Sequence, residues 1–204
     1  MFARLVQDAL DLMRFRIRPI GHYQYPLSAV ILWLLCLGLA SALVADTFTG
    51  GMANRLAFFM AVNVVESGLL AWFMAWWLRQ SGWQGQESLF GLVVLSHTPQ
   101  LLEPLLLAVP APLDSFLAFG LAAWGITILV QALHLTTAMT RGRVIVGMIL
   151  FMPIAVFALS LMLGAAAHQG WINLPQELTT PEATPTTPAP TEPTPPNHSG
   201  VMDS

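Results

Sequence analysis

Residues 144–167 read VIVGMILFMPIAVFALSLMLGAAA, an uninterrupted apolar stretch without a single charged side chain. A helix needs about 20 apolar residues to cross the hydrocarbon core of a bilayer. Working back along the chain, four more stretches meet that length: Leu27–Ala45, Leu56–Leu78, Ser88–Val109 and Ser115–Thr137. Barrel strands would alternate in polarity, and these runs do not. Helices satisfy their own backbone hydrogen bonds in lipid. The expectation is an all-α polytopic membrane protein: a bundle of five transmembrane helices over residues 21–170, an amino-terminal amphipathic helix in residues 1–20, and a disordered carboxyl tail from 171 to 204.

Composition agrees. Hydrophobic residues make up 55% of the chain and charged residues 9%, against about a quarter charged in soluble domains. The net charge is −3 and there is no lysine. No basic stripe follows residue 18, so a nucleic-acid partner is not expected. Cys36, the only cysteine, excludes an intramolecular disulfide or a cysteine-rich metal site.

Arginine placement predicts orientation. Arg4, Arg14, Arg16 and Arg18 precede the first run, Arg79 follows the second, and Arg141 and Arg143 separate the last two. With five crossings all seven fall on one side, and only Arg55 on the other. The positive-inside rule then puts the amino terminus in the cytoplasm and the carboxyl terminus across the membrane. A cleaved signal peptide fits poorly, because the first apolar run begins only at Leu27.

The two ends carry their own patterns. Phe2, Leu5, Val6, Ala9, Met13 and Ile17 recur at three- and four-residue steps, predicting an amphipathic helix over 1–18. Arg4, Gln7, Asp8, Asp11, Arg14 and Arg18 take the other side. Such a helix lies among lipid headgroups, with Arg4, Arg14, Arg16 and Arg18 near phosphates, or packs on the bundle. Residues 179–196 are mostly threonine and proline, a composition that builds no core. Asn197-His198-Ser199 fits the glycosylation pattern.

Polar residues interrupt three runs. Asn63, Glu66 and Ser67 share one helix face. Ser96, Gln100 and Glu103 share another, beside His97, and Thr127, Gln131 and His134 a third. Ionisable groups at membrane depth are costly and mark candidate functional sites, while Asn, Gln, Ser and Thr also act as packing glue between helices. Both readings stay open for Asn63, Glu66, His97, Gln100, Glu103, Gln131 and His134. Pro99 and Pro104 break the third run, leaving the carbonyls of Leu95 and Gln100 without their usual donors; His97, Gln100 or water would be their partners. No catalytic, cofactor or metal motif is present, so neither an enzyme nor a cofactor is expected.

The stretch ESLFGLVVLSHTP at 87–99 resembles the beginning of the third helix of Yip-type membrane proteins. Trp124 in the next run, the Thr140-Arg141-Gly142-Arg143 turn and the last apolar run resemble that family's closing helix pair. The resemblance covers about residues 1–168 and implies five spans and a cytoplasmic amino terminus. Eukaryotic members bind Rab-type GTPases through cytosolic amino-terminal regions. This chain has only a short helix there and looks like the compact bacterial members. Pro99 alone carries over, as a structural position. The function expected is a non-enzymatic protein organising lipids, itself or another membrane protein in a bacterial inner membrane. The alternatives are a small transporter or channel subunit using Glu66, His97 and Glu103, and an accessory subunit of a larger complex.

Overall fold

The computed structural model describes residues 2–45 and 51–171. Of these, 79% are helical, and no strand occurs among them. The threonine- and proline-rich segment and Asn197 lie outside the described residues. The helices are α1 (Phe2–Met13), α2 (Leu27–Val44), α3 (Met52–Arg79), α4 (Phe90–Ser96), α5 (Glu103–Leu106), α6 (Leu113–Thr137) and α7 (Arg141–His168), with 3₁₀ turns at Ile20–Tyr23 and Thr98–Leu102.

Four helices, α2, α3, α6 and α7, are long and apolar enough to cross a membrane. Their lipid-like exterior is evident in α7. Its most apolar window has a mean hydropathy of 2.7, yet only 17% of it is buried. Ile149, Met152, Val156, Phe157 and Leu161 all point outward. An apolar surface of this extent is a membrane-facing surface.

The third predicted run, Ser88–Val109, is not one helix. It divides into α4, the 3₁₀ turn and α5. The two prolines are the cause, and the repair is local. Thr98 Oγ1 donates to the Leu95 carbonyl at 2.5 Å, the bond that Pro99 cannot make. The Gln100 carbonyl, which Pro104 cannot serve, accepts from the backbone N–H of Glu103. Neither the His97 nor the Gln100 side chain is consumed in the repair, contrary to the expectation above.

The amino-terminal helix also departs from expectation. It ends at Met13, not at residue 18. Phe15 takes a left-handed φ of 58°. Arg16 N–H reaches back to the Asp11 carbonyl at 2.8 Å and Phe15 N–H to that of Leu12 at 2.9 Å. These are the two bonds of a Schellman stop, built on a phenylalanine where glycine is usual. Leu5, Ala9 and Leu12 are buried against the bundle. The helix packs on protein, the second of the two placements open to it.

Contacts at the helix ends set the directions. Trp77 Nε1 donates to the Arg143 carbonyl at 3.0 Å, and the Arg143 guanidinium lies over the Trp77 ring. At the opposite ends of the same pair, Phe58 packs with Ala166. Helices α3 and α7 are therefore antiparallel. Gln24 Nε2 donates to the Ser88 carbonyl at 2.9 Å, joining the start of α2 to the approach to α4. Between α2 and α3, Gly38 lets the helices touch: a Cβ there would stand 3.0 Å from the Met60 backbone nitrogen. Small residues serve this purpose in membrane bundles.

Candidate intramembrane site

The break in the third segment turns His97 and Gln100 away from helix repair and into a cavity. This cavity has a volume of about 410 Å³. Its polar lining comes from Glu66 on α3 and from Ser96, His97 and Gln100. Its apolar lining comes largely from α6 and α7, including Gly125, Leu129, Met148 and Phe151. His97 Nδ1 and Gln100 Oε1 are buried without a hydrogen-bond partner. Leaving such an atom bare costs about 1–3 kcal/mol. Both atoms belong to residues that line the cavity.

The cavity opens sideways. Ile126 of α6 and Ile145, Ile149 and Met152 of α7 line it and are at the same time 44–63% exposed on the apolar exterior. The opening thus faces the region where lipid tails lie. Glu66 sits near the middle of α3 and is exposed. It also borders a second, smaller cavity of about 140 Å³ between α3 and α7. Among the described residues no cation pairs with Glu66.

The structure thus joins Glu66, His97 and Gln100 and leaves the other sequence candidates elsewhere. Asn63 is buried, and its Nδ2 donates to the Phe59 carbonyl of its own helix at 2.9 Å. His134 Nδ1 donates to the Met139 carbonyl, beyond the end of α6, where Ala138 turns left-handed. Gln131 is half-buried and outside the cavity lining. Glu103 opens α5 and is half-buried, also outside the lining.

A second polar centre holds α1 in place. Asp8 is 1% exposed. Its Oδ2 accepts from Tyr25 Oη at 2.6 Å, and its Oδ1 accepts from His22 Nε2 at 2.9 Å. Arg18 lies 3.3 Å from Oδ1 and also pairs with Asp11 at 2.8 Å. Guanidiniums flank both nitrogens of the His22 ring, Arg4 Nη2 at 3.2 Å from Nδ1 and Arg18 Nη1 at 2.9 Å from Nε2, while Nε2 also faces Asp8. Burial raises the Asp8 pKa, but the Tyr25 and His22 hydrogen bonds and the nearby His22 and Arg18 charges outweigh it, so the net shift is downward. Burial, with the Asp8 hydrogen bond and charge, drives the Tyr25 phenol upward. Of the predicted headgroup arginines, Arg4 and Arg18 join this centre, and Arg14 and Arg16 are exposed. Sequence reasoning put Asp8 on the polar face. The signal against that was its spacing: three residues from Leu5 and four from Leu12, Asp8 lies within the apolar stripe.

No known protein family, curated protein or solved structure matches the chain.

Proposed function

We propose that this chain is a non-enzymatic membrane protein that organises lipid by holding a lipid-like amphiphile in the cleft between α6 and α7. The observation that carries the reading is the pairing of a sideways apolar opening with two buried polar atoms that lack partners. A hydrocarbon tail fits the opening, and a polar head satisfies His97 and Gln100. Binding sites of a few hundred Å³, mostly apolar with few polar groups, are typical of small ligands.

In this reading the broken segment is a fifth crossing, and the protein is a compact Yip-type member of a bacterial inner membrane. Support comes from its two ends. Ser88 is tied beside the start of α2, and α6 finishes at the turn that leads to Arg141 and Arg143. The seven-to-one arginine split favours a cytoplasmic amino terminus. A cation or proton path through Glu66, His97 and Glu103 is less well supported, since Glu103 does not line the cavity.

The test is mass spectrometry of the intact protein released from lipid nanodiscs. Ala122 is exposed and lines the cleft, so Ala122→Trp fills the opening without entering the core. The expected result is one retained lipid or amphiphile per chain in the parent and none in the variant. Equal retention by both, or none by either, overturns the reading.

A further inference from the structure

The chemistry of the cleft also selects the head of its ligand, an inference that rests on the reading above. We propose that the cleft takes a lipophilic amine, an amphiphile whose polar end is a hydrogen-bond-donating cation paired with Glu66.

Charge excludes the first alternative. Glu66 is the only ionisable acid in the lining, and no arginine is among the lining residues; the chain has no lysine. A fatty acid or a phosphate head would meet the Glu66 carboxyl group with no arginine or lysine to compensate, and the one basic side chain in the lining, His97, already interacts with Glu66. A zwitterionic head would satisfy Glu66 with its amine but bring a phosphate that no arginine or lysine in the lining neutralises.

Hydrogen bonding narrows the rest. Gln100, which lines the cleft, has an amide oxygen without a partner, and such an oxygen can only accept. Glu66, when ionised, can also only accept. His97 Nδ1 lacks a partner as well and accepts when the ring proton sits on Nε2. A primary ammonium carries three donors and matches this acceptor set. A hydroxyl carries one donor and no charge. The deciding group is Glu66, an exposed acid in mid-helix that makes no ion pair within 4 Å among the described residues and has only the His97 imidazole as a basic neighbour in the lining. At membrane depth an unpaired carboxylate is costly, and Coulomb attraction to a cation is far stronger there than in water. A ligand ammonium supplies the missing partner.

The experiment uses the full chain in phosphatidylcholine nanodiscs and three probes of equal chain length: dodecylamine, dodecanol and lauric acid. Affinity is measured by tryptophan quenching with brominated versions of each, with Ala122→Trp as the blocked control measured by intact mass. The parent is expected to bind the amine at least about tenfold more tightly than the alcohol or the acid, a charge-assisted bond's worth of preference. Glu66→Gln, folded by circular dichroism, is expected to bind amine and alcohol alike. Alcohol or acid binding as tight as the amine, or a Glu66→Gln chain that keeps the preference, overturns the amine assignment and leaves the cleft reading standing. Failure of all three probes to bind, or binding undiminished in Ala122→Trp, overturns the cleft reading itself.

Discussion

Tyr25 and Asp8, 17 residues apart, meet in a 2.6 Å hydrogen bond that fastens the amino-terminal helix to the threshold of α2. The acceptor is almost wholly buried, so the bond is charge-assisted in a poorly hydrated place. Tyr25→Phe keeps the ring and deletes this one bond. The docking of α1 is expected to weaken by about 1.5–3 kcal/mol, the range for bonds to charged groups. Amide exchange across residues 5–12 reads it: faster exchange there, with α7 unchanged. Unaltered exchange in α1 would show that Leu5 and Leu12 hold the helix alone.

The same centre fixes a pH dependence. The folded-state pKa of Asp8 lies below its ordinary value. Its stabilising contribution is therefore complete above the unfolded carboxylate pKa of about 3.9 and is lost as pH falls through the lower folded value. Exchange in α1 is expected to hold steady, after correction for intrinsic rates, from pH 7 to pH 5, and to accelerate only in strong acid. Asp8→Asn removes that dependence. An α1 that loosens between pH 7 and pH 5 in the parent would show that Asp8 does not set the dependence.

The repair at Pro99 is testable by one hydroxyl. Thr98→Val leaves the Leu95 carbonyl without its side-chain donor, at an expected cost of about 1–3 kcal/mol. Thr98→Ser restores the donor and most of the stability. Thermal unfolding in detergent compares the three, and equal midpoints for Val and Ser would mean that water supplies the bond.

Much of this architecture is legible in the sequence because lipid imposes a coarse rule. The runs at Leu27, Leu56, Ser115 and Val144 are long and apolar, and each became a helix within a few residues of its expected bounds. The Ser88–Val109 run passes the same hydropathy rule and fails as a helix. Hydropathy does not register that Pro99 and Pro104 remove two donors five residues apart. The stop of α1 at Phe15 is illegible for another reason: phenylalanine has no preference for a left-handed backbone, so nothing in the residue type marks the turn. At the site, Glu66, His97 and Gln100 were visible as polar residues in apolar runs. Their convergence depends on how α3 meets the broken segment, and spacing within one helix does not encode that. The same spacing put Glu103 with Gln100, and the switch to a 3₁₀ turn separates them.

The arginines predict a topology. Reporter fusions after Leu78 and after Thr140 are expected to be cytoplasmic, and fusions after Gly51 and after Trp171 external. An external reporter after Thr140 would make the broken segment re-entrant and reverse α6 and α7.

Glu103 and Glu66 should separate cleanly. Glu103→Gln keeps the shape of a residue outside the cleft lining, and the variant is expected to retain amphiphile at the parent's level. A folded Glu103→Gln chain that retains none would move the binding site toward α5.

The central claim, that the cleft between α6 and α7 holds an amphiphile, is tested most directly by photo-crosslinking. A photoactivatable single-chain amphiphile is placed in the membrane with the full chain, and the labelled peptides are mapped. Crosslinks should concentrate on Ile126, Met148 and Met152, which line the cleft, and should disappear from them in Ala122→Trp. Labelling spread evenly over outward residues such as Phe116 and Phe157, unaffected by that substitution, would contradict it.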